Sequence, residues 1–272
     1  MTLLLAAILP ALASGPPAAD AVKLETPNVE YRTNVASAST SPWIDANGWR
    51  ILRQPARKYY YEVRPASVAL AAAEAFVYGA HAKISTDTAG VGIFNRMLAF
   101  LGGLSDSNWP AMANIGVVDD GSDETGELMN MLSRRNLLYR IVKAPDPHLD
   151  LNVRIGSAQY PKSDAADPSV LAQKIRAELT DEKRLLRLYG SEVVIARLMG
   201  TGHGIRIHLL NYSNRPVTAL RVRVLGSYPN AHIAAFGKPD LKVEDLTLSD
   251  GATEFTVPEM SAYAVVDLAR QP

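Results

Sequence analysis

The sequence contains no cysteine, and that absence removes whole classes of chemistry. Disulfide scaffolds, thiolate zinc sites, iron–sulfur ligation and a cysteine nucleophile are all excluded. An excess of either charge is also missing, since 28 Lys and Arg face 28 Asp and Glu. A formal charge of zero supplies no field to gather nucleic acid or an anionic membrane, so neither is an expected partner. The apolar stretch at the N-terminus falls short of the roughly 20 residues that span a bilayer, and no transmembrane segment is expected. A G-x-S-x-G elbow and a G-x-x-x-x-G-K-[ST] phosphate loop are absent too.

What is present has an ordinary globular composition. Of 272 residues, 47% are hydrophobic and 21% charged, which fits one large domain or two of usual size. The chain opens with MTLLLAAILPALA, an apolar stretch ending in the small-x-small pattern Ala11-Leu12-Ala13. That is the form of a secretory signal, although no Lys or Arg precedes the apolar run. Residues 1–21 are therefore expected to be signal peptide and Gly/Pro/Ala tether, and the mature protein to be secreted or periplasmic.

The remainder falls into two patterns. From residue 22 to 183 strand and helix signals alternate. Ala46 to Arg53 and Tyr59 to Val63 are rich in β-formers, Pro65 opens an alanine-rich helix that Gly79 stops, and Ala82 to Ser85 is a short strand. Ile93, Met97, Leu98 and Leu101 fall at helical spacing ahead of Gly102-Gly103. Ile115-Gly116-Val117-Val118 reads as a buried parallel strand, followed by a helix over Leu128, Met131 and Leu132 and a strand from Leu137 to Val142, which is a βαβ unit. Leu151 to Ile155 is a further strand, and Asp167-Pro168 starts a helix. From residue 184 to 272 the period becomes two, with strands expected at 193–198, 205–210, 220–225, 233–236, 246–248, 253–257 and 262–268. The predicted fold class is an α/β domain with a mostly parallel sheet (22–183), followed by a C-terminal antiparallel β-sandwich (184–272).

Few residues could carry chemistry. Asp119 and Asp120 lie at the carboxyl end of a buried parallel strand, where open α/β sheets bind ligands. They also precede a helix, so capping by acidic side chains is the competing reading. Asp45 and Asp87 sit near strand ends as well, and a glycosidase needs two carboxyl groups flanking the scissile bond. Trp43, Trp49, Tyr59 and Tyr61 are aromatic candidates for ligand binding, because sugar faces stack on rings beside carboxylates. The glycine cluster from Gly200 to Gly204 reads as a hairpin turn. His203 and His208 lack a carboxylate partner for a metal site, and neither a metal nor a cofactor is expected.

The helix and strand from Ala69 to Thr86, the helix from Gly92 to Leu101, the α/β unit beginning Ile115-Gly116-Val117-Val118-Asp119-Asp120 and the terminal sandwich together resemble the rear part of multidomain glycoside hydrolases, notably three-domain β-galactosidases. Locally, Ile207-His208-Leu209-Leu210-Asn211-Tyr212, Phe255-Thr256-Val257-Pro258 and Tyr263-Ala264-Val265-Val266-Asp267-Leu268 look like strands of their C-terminal domains. The resemblance implies an amidotransferase-like α/β domain beside a small all-β domain, without amidotransferase activity because the nucleophilic cysteine is missing. A complete catalytic barrel takes about 200–250 residues, more than the chain places before Ile115.

These observations lead to an expected function in glycan binding or assembly, with a carbohydrate as partner and no catalysis. Two alternatives stay open: a small glycoside hydrolase using Asp45, Asp87 or the Asp119/Asp120 pair, and a structural envelope protein. Sheet edges in the sandwich must be covered or paired, which makes a homo-oligomer a further expectation.

Overall fold

The structure is a computed structural model that describes residues 12–31, 42–104 and 109–270. Met1 to Ala11, most of the expected signal, lie outside the described residues. The chain begins with β1 (Leu12–Ser14), β2 (Val22–Leu24), β3 (Asn28–Glu30), β4 (Trp43–Asp45), α1 (Gly48–Arg53), β5 (Lys58–Glu62), α2 (Pro65–Val77), β6 (His81–Ser85) and α3 (Thr88–Gly102). A parallel sheet has the order β1-β6-β5-β2. Its edge strand β1 contains Leu12 and Ala13 of the expected cleavage motif, paired with Ala82 and Lys83. Strands β3 and β4 form a separate antiparallel ladder.

Local chemistry explains most of these elements. Along β5 the side chains alternate, with Tyr59 and Tyr61 buried between more exposed neighbours. Pro65 occupies the first turn of α2, where its missing N–H costs nothing. This helix is buried on nearly every side, from Val68 through Ala73, Ala75 and Val77, as suits its alanine-rich, all-round apolar sequence. Gly79 ends it at φ 70°, a left-handed conformation that glycine adopts without strain.

One expected strand is a helix. The β-forming residues from Ala46 to Arg53 give α1, because its N-cap residue and its first position are both fixed from a distance. Asn47 is bonded by Glu74 on α2, and Gly48 lies against the Tyr78 ring, where a Cβ would come within 2.1 Å of Cζ. Propensity over six residues is too weak to oppose such tertiary anchors.

Next come β7 (Ile115–Val118), α4 (Asp123–Arg134), β8 (Tyr139–Val142), β9 (Leu151–Val153) and α5 (Pro168–Leu179). These strands make a second parallel sheet, β8-β7-β9, so the parallel strands divide between two sheets. Each sheet has its own core. Ile115, Val117 and Val153 pack with Leu128, Leu132, Leu171 and Ile175, whereas Tyr59, Tyr61 and Ile84 pack with α2 and α3.

The C-terminal part consists of β10 (Leu186–Tyr189), β11 (Val194–Gly200), β12 (Gly204–Asn211), β13 (Val217–Leu225), β14 (Asn230–Ala235), β15 (Glu244–Ser249), β16 (Ala252–Met260) and β17 (Tyr263–Ala269). Two antiparallel sheets, β10-β13-β16-β15 and β11-β12-β17-β14, face each other as a sandwich. Ile205, Ile207, Leu209, Val222, Phe255 and Val266 fill its interior. Every residue of β12 is buried, because the opposite face of that sheet packs on α2 and α3. Phe100 meets Tyr263 edge-on at 5.9 Å there, and Phe76 meets His208 at 6.4 Å.

The free edge of β11 is covered from within the chain. Met112 N–H donates to the Leu198 carbonyl at 2.9 Å, and Gly200 N–H donates to the Pro110 carbonyl at 3.0 Å. Further along, the Asn136 side chain donates to the Val194 carbonyl at 2.9 Å and accepts from Ala196 N–H at 2.7 Å. The amide thus supplies the pairing that a neighbouring strand would provide.

Candidate functional site

Two of the aromatic candidates, Trp49 and Tyr59, meet at one pocket. It has a volume of about 180 Å³ and is lined by Val22, Leu24, Trp49, Arg50, Arg53, Gln54 and Tyr59. Helix α1 places Trp49, Arg50 and Arg53 around it. The Arg50 guanidinium lies 4.5 Å from the centre of the Trp49 ring, which is cation–π geometry. The Trp49 indole N–H is buried without a hydrogen-bond partner among the described residues. Tyr59 is 2% exposed and donates its hydroxyl to the Gln54 carbonyl at 2.8 Å, closing the floor of the pocket.

Arg53 connects this pocket to the strand-end aspartates. Its Nε and Nη2 donate to the two Asp119 oxygens at 2.8 and 2.7 Å, and Nη2 also reaches the Ser122 carbonyl at 2.7 Å. The guanidinium holds the Asp119 carboxyl below its ordinary range. Helix α4 approaches α1 closely at Gly126, where a Cβ would come within 2.8 Å of Trp49 and of the Arg53 guanidinium.

The other acidic candidates make local structure. Asp120 accepts from the Ser122 N–H and hydroxyl at 3.0 and 2.6 Å and from the Thr125 hydroxyl at 2.8 Å, which lowers its pKa to about 2. Ser122 is itself the α4 cap, accepting from Thr125 N–H. Asp87 caps α3 by accepting from Gly90 N–H at 3.0 Å. Asp45, half-buried at the end of β4, accepts from the Trp43 indole N–H at 3.0 Å, and burial raises its carboxyl. Trp43 is half-buried too, with the Arg134 guanidinium 4.0 Å from its ring centre. Replacing Asp120 with alanine should lower stability by about 0.5–1.5 kcal/mol, the net contribution of a hydrogen bond, because it removes the acceptor of three local bonds around the Ser122 cap, read as a shifted urea midpoint at unchanged slope.

Tyr61 belongs to a different constellation. It is fully buried, so neither face of its ring is open to a ligand, and its hydroxyl donates to Glu74 at 2.9 Å. Glu74 is likewise fully buried and accepts three more bonds: Asn47 N–H at 2.7 Å, Asn47 Nδ2 at 2.9 Å and the Tyr212 hydroxyl at 2.6 Å. Burial outweighs these donors and raises the carboxyl. The cluster ties α1, β5, α2 and the turn after β12 to one side chain. Its trace in the sequence is a lone acid within the apolar run Val68 to Val77.

No protein-family model matches the sequence, and no curated protein is similar to it. Solved structures do match it in part. Alpha-L-fucosidase isoenzyme 2 from Paenibacillus thiaminolyticus superposes with a TM-score of 0.52 at 9% identity, over 80% of this chain and 61% of that one. The chain thus spans less than two thirds of that enzyme's length. The family 30 subfamily 8 xylanase Xyn30A from Clostridium acetobutylicum matches at 10% identity over 82% of this chain and 45% of that one, with a TM-score of only 0.29. An α-amylase from H. orenii matches at 11% identity over 81% and 55%, with a TM-score of 0.21. At 9% identity the fucosidase match shows a shared fold and nothing about substrate.

Proposed function

We propose that this protein is a secreted carbohydrate-binding or assembly module, built of an α/β domain and a sandwich domain, that holds sugar in the α1 pocket without cleaving it. The observation that carries this reading is the pairing of Trp49 and Tyr59 with Arg50, Arg53 and Gln54 around one opening. The buried Trp49 and Tyr59 rings give the pocket apolar walls, while the exposed Arg50 and Gln54 side chains supply donors for sugar hydroxyls. Hydrolysis would instead need a carboxylic acid with a raised pKa beside a second carboxylate. Asp119 and Asp120 are held low by bonded partners, and Asp87 is taken up by a helix cap.

A small glycoside hydrolase is the second reading, favoured by the raised Asp45 carboxyl. The two separate cleanly by experiment. Saturation-transfer NMR with L-fucose, D-galactose and D-xylose should detect binding by the wild type, weakened about tenfold, or about 1.4 kcal/mol, by Arg50→Ala or Gln54→Ala. Both side chains are exposed, so these variants should fold. Equal binding by the variants would remove the pocket from consideration. Release of nitrophenol from aryl glycosides, lost in Asp45→Asn, would replace the binding module with the hydrolase.

A further inference from the structure

A second cavity, of about 220 Å³, lies where the end of α2, residues 111–112, β8 and β11 converge. Its walls are mostly aliphatic, with Leu52, Met112, Leu138 and Ile195 among them, and Arg197 lines it. Arg197 is part-buried, facing α2 from the outer side of the sandwich sheet. Its Nη1 donates to the Val77 carbonyl at 2.6 Å, and its guanidinium stands 5.1 Å from the centre of the Tyr78 ring.

Among the described residues, Arg197 has no carboxylate within ion-pairing distance, and none contributes to its electrostatic surroundings. Three other arginines drawn inward are matched: Arg53 by Asp119, Arg184 by Asp181 and Arg206 by Asp267. The neighbours of Arg197 carry no negative charge. Tyr78 and Tyr139 stay protonated because burial raises them, and His208, its cross-strand partner, stays neutral because burial and two guanidiniums push it down to about 3. Glu74, one turn back on α2, is saturated by its four donors. Arg140, also on the lining, is paired with Asp146.

Capping α2 is part of what Arg197 does, but it leaves most of the side chain unused. Among the described residues it engages one of its five N–H donors and offsets only about half a unit charge at the helix C-terminus. Its remaining donors and the rest of its charge are therefore free to meet an anion in the cavity that it lines. The geometry points to a binding site for a small monocarboxylate, with the Arg197 fork holding the carboxylate and the aliphatic walls its apolar body. The volume is below the roughly 300–1,000 Å³ of sites for drug-sized ligands, which favours a compact occupant. The charge count favours a monoanion: a phosphate dianion, carrying about −1.5 to −2, would bring an unmatched charge into an apolar cavity.

The carboxylate could belong to a free short-chain acid or to a uronic acid, and the test separates them. Unfolding temperature is measured with increasing propionate, glucuronate or inorganic phosphate, against chloride at equal ionic strength, because a ligand of the native state raises it by mass action. Propionate is expected to raise it in a concentration-dependent way. A rise with glucuronate at matching concentrations identifies a sugar acid as an accepted source. Arg197→Met should abolish the response, and Arg197→Lys, which keeps the charge but loses the planar fork, should weaken it about tenfold. Ala111→Phe narrows the cavity while leaving Arg197 in place, and decides the matter if Arg197→Met does not fold; it too should abolish the response. No rise with propionate, an equal rise in Arg197→Met or Ala111→Phe, or an equal rise with phosphate would each overturn the assignment.

Discussion

Replacing Glu74 with alanine is expected to unfold the protein or bring it to the edge of unfolding. The substitution strands four buried donors at once, the N–H and Nδ2 of Asn47 and the hydroxyls of Tyr61 and Tyr212. Asn47 Nδ2 keeps one other acceptor, the Glu25 carbonyl at 3.0 Å, and so loses less than the others. Each buried donor left unsatisfied costs about 1–3 kcal/mol, against a total of about 5–15 kcal/mol for a typical native protein. Glu74→Gln should cost less, on the order of 2–3 kcal/mol, because its carbonyl keeps one oxygen's bonds while its NH₂ now faces donors. Urea denaturation reads both, and an Ala variant within 1 kcal/mol of wild type would contradict the role assigned to this side chain.

The same residue sets a pH dependence with an unusual sign. Burial raises the Glu74 carboxyl above its ordinary value of 4.5, so the folded state binds this proton more tightly than the unfolded chain does. Its contribution is fully present below 4.5 and declines as the pH rises through the folded value. Asp119 and Asp120 act in the opposite sense. Their carboxyls are lowered, so the stability they add is present above the ordinary 3.8 and is lost as the pH falls, for Asp120 toward about 2. Glu74→Gln should remove the decline on the alkaline side and leave the acid-side loss untouched.

Asn136→Ala is expected to have the second largest effect, about 2–4 kcal/mol. It removes two bonds to the backbone of β11 and leaves the Val194 carbonyl and the Ala196 N–H buried without those partners. Asn136 also adopts φ 52°, which asparagine tolerates better than alanine. Asn136→Gly relieves the backbone but restores neither bond, so it should lie about 1 kcal/mol above the alanine variant. Equal midpoints for the glycine variant and wild type would show that the side-chain bonds contribute nothing.

Much of this architecture is legible in the residues themselves. The alternation of Leu220, Val222 and Val224 with Arg221 and Arg223 is the half-solvated strand β13, and Asp167-Pro168 starts α5 with two bonds from the cap side chain. Local chemistry is sufficient in both cases. Helix α1 was illegible because Glu74, 27 residues away in sequence, imposes its first turn. The orientation of Arg197 was hidden for a related reason. Strand β11 has two buried faces, one toward the sandwich interior and one toward α2, and no period-two pattern tells which face a basic residue occupies. Of the aromatic candidates, Trp49 and Tyr59 meet at a pocket while Tyr61 serves a buried acid, and that division rests on long-range packing.

The Asn136 clasp on β11 also makes the molecule its own gauge. The Ala196 amide proton is held by a side chain from the α/β region rather than by a strand of its own sheet. Its exchange with deuterated solvent therefore requires only that the clasp open, whereas Ile207 and Leu209, inside β12, report the opening of the sheet itself. A gap between the two protection factors would measure how often the clasp opens while the sheet stays folded, and equal protection would mean that it opens only when the sheet unfolds.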